Sequence, residues 1–144
     1  MAWHHARPPQ EQATDAHRRS LAQALYHAER WEEARALLAG LAASHPEDVT
    51  VQGQLGVVAA RQDRPADARR IAAWLATVDQ PYTWAAPVGW RAAIAAQLGE
   101  PEAALTLLRE SVTRGRLREG FHSDPALEPL RRLPAFRALL RPQG

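Results

Sequence analysis

The sequence predicts an all-α fold, an α-solenoid of about three antiparallel helical hairpins with a short C-terminal helical cap. Three observations predict it. Ala34, Ala68 and Ala104 hold one position of three successive units, 34 and 36 residues apart, and a period near 34 residues is that of stacked helical hairpins. The chain is 46% hydrophobic but only 6% aromatic, with Ala and Leu dominant; these two cost least in a helix. β-Branched residues are sparse and never alternate over a long run, which argues against a sheet.

The elements follow in order. Residues 1–12 (MAWHHARPPQEQ) are read as a flexible N-terminal tail, because Pro8-Pro9 interrupts a continuous helix. Repeats are expected over 13–116, as units of about 15–48, 49–82 and 83–116, and a capping segment over 117–144. Thr14 and Asp15 are N-cap candidates for a first helix over roughly 15–29, whose Leu21, Ala24, Leu25 and Ala28 form a helical stripe. Glu29-Arg30 turns the chain, and a second helix over 31–44 buries Ala34, Leu37, Leu38 and Leu41. His45-Pro46 breaks it, and Asp48 caps a third helix over 49–61. Pro65 suits the first turn of a fourth helix over 65–78, where no amide partner is lost.

The segment Asp79–Gly89, with Pro81 and Pro87, is the irregular point and accounts for the longer second spacing. A fifth helix is expected to start between 83 and 88 and to run to Leu98, where Gly99 stops it. Pro101 opens a sixth helix over 101–114. Beyond Gly115 the period disappears. Ser123-Asp124-Pro125 predicts a cap and a short helix over 125–131, and Leu133-Pro134 starts another with Phe136, Leu139 and Leu140. A stack of repeats needs such an atypical end to cover its last apolar face.

Each unit pairs a small residue in the first helix (Ala22, Gly56, Ala92) with an alanine early in the second (Ala34, Ala68, Ala104), which lets two helices approach closely. Together with Leu21, Leu55, the turn at Trp31 and Pro46, the pattern resembles the tetratricopeptide repeat family over about residues 15–116. It departs from that family where Leu25, Ala59 and Ala95 replace the usual aromatic of the first helix, and where Arg91 replaces a leucine. The run Asp124-Pro125-Ala126-Leu127-Glu128-Pro129-Leu130-Arg131, with Pro134, Phe136, Leu139 and Leu140 after it, is similar to the end of such arrays in bacterial multidomain signalling proteins. That resemblance implies the C-terminal part of a larger protein, or a free-standing relative.

The resemblance implies a protein–protein or peptide-binding scaffold, non-catalytic and without cofactor. In stacked hairpins the first helices line a concave face that takes a peptide. Arg19, Gln23, Tyr26, His27, Val57, Arg61 and Gln97 are the residues expected to line it, with Arg19 and Arg61 placed to receive an acidic group. Family members that grip a terminal carboxylate use lysine and asparagine there. This chain has neither, so that mode is disfavoured.

Composition adds limits. All eighteen basic residues are arginine and there is no cysteine, so disulfides and thiolate chemistry are excluded. Formal net charge is +2, but residues 109–141 hold eight arginines against four acids. An alternative function is therefore a regulatory module that contacts nucleic acid or acidic partners through this segment; a solvated face is the plainer reading. No apolar run approaches the ~20 residues of a membrane span, and the expectation is a cytoplasmic protein. The six histidines form no His-x-x-x-His pair, and His17 and His27 are nearly three turns apart, so no metal site is expected. Glu32-Glu33 and Glu47-Asp48 suit helix starts better than acid–base work. Trp31 is read as structural at the hairpin turn, Trp74 as either core or a lateral contact, and Trp84 and Trp90 as packing between units before binding anchors.

Overall fold

Helices account for nearly all of the chain that the computed structural model describes, residues 9–78, 86–113 and 124–141. They are α1 (Pro9–His27), α2 (Trp31–Ser44), α3 (Val49–Arg61), α4 (Pro65–Thr77), α5 (Ala86–Gln97), α6 (Pro101–Thr113), a 3-10 helix (Pro125–Leu130) and α7 (Pro134–Leu140). Among the described residues there is no strand. No helix among them is long and apolar enough to cross a membrane.

Local chemistry sets most helix ends. Asp48 caps α3 by accepting a hydrogen bond from the Val51 amide at 3.1 Å, and Asp124 caps the 3-10 helix through the Ala126 amide at 2.9 Å. Pro65 and Pro134 sit in first turns, where their missing amide costs nothing. The start of α1 differs from expectation. It begins at Pro9, not near residue 15, so Thr14 and Asp15 lie inside the helix and not at its N-cap. Proline suits the first turn, and the Gln-Glu-Gln-Ala stretch after it favours helix. Asp15 is instead buried and pairs with His45 Nε2 at 2.9 Å, tying α1 to the end of α2. The rest of the expected tail, residues 1–8, lies outside the described residues.

Three turns repeat one backbone geometry. Glu29, Asp63 and Gly99 have φ of +59°, +59° and +78°, and they stand 34 and 36 residues apart like the alanines. At each, the next amide reaches back five residues: Arg30 to Leu25, Arg64 to Ala59 and Glu100 to Ala95, at 2.8–2.9 Å. Such bonds satisfy carbonyls that a helix end leaves open.

Each of α1 to α5 packs on the helix that follows it, and α3 also packs on α5. The 3-10 helix packs on α5, and α7 touches α6. α3 and α5 are the central helices, with most of their residues buried, in keeping with their Ala-, Val- and Gly-rich sequences. Their contact depends on glycine. A Cβ on Gly53 would lie 2.2 Å from Trp90 Cγ, and one on Gly56 would lie 2.5 Å from Ile94 Cδ1. The other small residues at the recurring sequence positions, Ala22, Ala34, Ala68, Ala92 and Ala104, are all 0–1% exposed.

Candidate binding groove

The polar residues of α1 lie along one face at Arg19, Gln23 and Tyr26, a spacing that puts them on successive turns. The structure divides that face into an open sector and a closed one. In the open sector, α1, α2 and α3 enclose a hollow of about 250 Å³ lined by Arg19, Gln23, Asp48, Thr50, Val51 and Gln54, with Leu38 and Leu41 at its floor. Arg19 donates to Asp48 Oδ2 and so joins α1 to the cap of α3. Both side chains are partly exposed, so the pair adds little to stability.

Gln54 is the unusual member. Its residue is 5% exposed, it lines the hollow, and its amide makes no hydrogen bond among the described residues. Its amide atoms are not among the buried side-chain atoms that lack a partner, so they meet the solvent of the hollow. Sequence reasoning missed it, although a signal was there. Gln54 falls three residues after Val51 and four before Val58, in the apolar stripe of α3.

In the closed sector, Tyr26 is 1% exposed and Val57 0%. Neither faces the solvent of an open groove, contrary to expectation. The Tyr26 ring meets Trp31 at 5.6 Å and Trp90 at 6.1 Å, both edge-on. Its hydroxyl donates to Asp124 Oδ1 at 3.1 Å, across 98 residues of sequence. Gln97 Nε2 donates to the Ala126 carbonyl at 2.9 Å. The segment after Asp124 thus lies over positions expected to be open.

The remaining expected residues are exposed but occupied. His27 lies edge-on to Tyr26 at 5.4 Å. Arg61 sits over the Trp31 ring at 5.6 Å and within 3.8 Å of Glu29. Arg19 and Arg61 therefore already have carboxylate partners, a use that the sequence pattern did not reveal. Trp74 and Trp90 are half-buried, and Trp84 lies outside the described residues. Of the basic stretch, Arg131 donates to the Asp124 carbonyl at 2.7 Å and Arg137 to the Arg131 carbonyl at 3.2 Å. These two cations serve the cap's own backbone. Other hollows lie between α4, α5 and α6 and between α6 and α7, without a buried unpaired polar side chain.

Glu32 shows how the helices are pinned at their ends. It accepts hydrogen bonds from Arg35 at 2.9 Å and, across to the end of α3, from Gln62 at 2.6 Å. The Arg35 bond first, then that of Gln62 and the nearby arginine charges, hold its carboxyl below the ordinary 4.5, against a small opposing effect of desolvation. A depressed carboxylate contributes stability that is fully present above its unfolded value and is lost as pH falls through the folded one. The expected result is a Glu32 titration midpoint below 4.5, read by NMR, which moves up in Arg35→Ala. A midpoint at or above the ordinary value in the wild-type chain would contradict the geometry.

Comparison with known proteins finds no family model, no curated protein and no solved structure that the chain matches.

Proposed function

We propose that the chain is a non-catalytic scaffold of the tetratricopeptide type, three helical hairpins stacked as a solenoid, that binds an extended segment of a partner protein. The in-register turns at Glu29, Asp63 and Gly99 support the repeat reading. So does the burial of its small residues. The observation that carries the binding reading is Gln54, a residue only 5% exposed whose amide meets an open hollow and has no hydrogen-bond partner among the described residues. A primary amide offers one acceptor and two donors, the complement of a peptide group. Arg19 and Gln23 at the rim offer further donors. A peptide main chain satisfies this set without any particular side chain.

Gln54→Leu tests the reading. It removes the amide while keeping the volume, and because that amide is bonded to solvent and not to the protein, stability should change by less than about 1 kcal/mol. Peptides selected from a displayed random library on the full chain should lose at least about tenfold in affinity for this variant, the worth of one hydrogen bond. Failure to select any peptide below ~100 μM, or binders indifferent to Gln54 and Arg19, would sink it.

A further inference from the structure

The closed sector is already occupied, and by the chain itself. Two side chains of the repeat helices grip a short turn from the C-terminal segment. The Tyr26 hydroxyl holds the Asp124 carboxylate at 3.1 Å, and the Gln97 amide holds the Ala126 carbonyl at 2.9 Å. Ala126, Leu127 and Leu130 are 0–1% exposed. One side-chain contact, one main-chain contact and apolar residues in a pocket are the means by which grooves hold peptides.

The seat is imperfect. Arg131 Nε is buried without a partner, Pro129 lies inside the 3-10 helix and donates no amide to it, and 3-10 hydrogen bonds are poorer than α-helical ones. The open sector adjoins it, because Arg19, Gln23 and Tyr26 share one face of α1. A partner could bind the open sector first and then reach the closed one, which raises its effective concentration there.

We propose that residues 124–130 are an intramolecular ligand, displaced by a partner segment of the same chemistry. That segment carries an aspartate that opens a short turn, a proline directly after it, and leucines three and six positions on. The proposal rests on the reading that the chain binds a partner segment. It uses a different sector and different residues from those that test that reading.

The probe is a fluorescent peptide with the sequence of residues 123–131, added to the full chain and followed by anisotropy. Asp124→Ala weakens the resident segment, which loses its cap and its bond to Tyr26, while the peptide brings its own aspartate. The variant should take up the peptide at least about tenfold more tightly than the wild type. Adding Tyr26→Phe to Asp124→Ala should reverse the gain about tenfold. Hydrogen exchange on the wild-type chain reads the same opening without a variant. The Ala126 and Leu127 amides should exchange while those of α3 and α5 stay protected. Equal peptide affinity in wild type and variant overturns the proposal, as does exchange at Ala126 and Leu127 no faster than in α3 and α5. Self-association of Asp124→Ala without peptide uptake also overturns it, because the groove then takes a second copy. Failure to select Gln54-dependent peptides would leave these readouts unchanged, so the two readings can fail separately.

Discussion

Tyr26→Ala should lower the free energy of unfolding by about 3–5 kcal/mol, the range for deleting a fully buried aromatic ring. Tyr26 is 1% exposed and lies at the centre of an aromatic cluster with Trp31 and Trp90, at 5.6 and 6.1 Å. Alanine would leave a cavity between α1, α2 and α5 that rigid indoles cannot collapse to fill. It would also remove the hydroxyl that holds Asp124. Tyr26→Phe separates the two contributions. It keeps the ring and removes one bond to a charged group, an expected loss of about 1.5–3 kcal/mol. The lower end is expected, since Asp124 retains the Ala126 amide. Small domains have only about 5–15 kcal/mol in total, so urea unfolding should show a large shift for Tyr26→Ala and a smaller one for Tyr26→Phe. A loss below about 1 kcal/mol for Tyr26→Ala would mean that the cluster is not part of the core.

Gly53→Ala should be nearly as damaging, by about 2–3 kcal/mol. The added Cβ would stand 2.2 Å from Trp90 Cγ and 2.3 Å from Trp90 Cδ2, far inside contact distance. Trp90 also packs edge-on to Tyr26, so α3 and α5 must separate or the indole must leave its place. Two glycines serve as controls because different atoms oppose them. At Gly56 the nearest atom is the methyl end of Ile94, at 2.5 Å, which can rotate, so a smaller loss is expected. At Gly40 the obstacle is Arg18 Nη2 at 2.8 Å, the far end of a long, partly exposed side chain held by a 3.8 Å ion pair to Asp15. Gly40→Ala should therefore be neutral, or gain up to about 1 kcal/mol from helix propensity. Thermal unfolding should rank the variants Gly40→Ala, Gly56→Ala and Gly53→Ala from most to least stable. Equal stability of Gly53→Ala and Gly40→Ala would refute the close approach of α3 and α5.

The helices were legible because their signals are local. Asp48 and Asp124 act on amides two or three residues away, and Pro65, Pro101 and Pro134 mark first turns. The alanine period pointed to close helix contacts. Glu29 and Asp63 were harder to read, because left-handed φ at these residues is visible only in the backbone, and nothing in their types demands it. Pro9 misled in the other direction. Read with Pro8 as interrupting any helix within residues 1–12, it instead begins α1.

The candidate site was legible only in part, and the reason is range. Arg19 and Gln23 were placed on the groove face from helical spacing, and both line the open hollow. Tyr26, Val57 and Gln97 were placed there by the same rule, but helical spacing cannot say what lies over a face. Residue order and type are enough to decide where helices begin and end, since caps, prolines and turns act within one turn of chain. Which polar face stays open depends on contacts such as Tyr26 with Asp124, 98 residues apart. No pattern around either residue specifies that bond; it exists because packing brings α1, α5 and the C-terminal segment together, and that packing leaves Gln54 buried beside an open hollow.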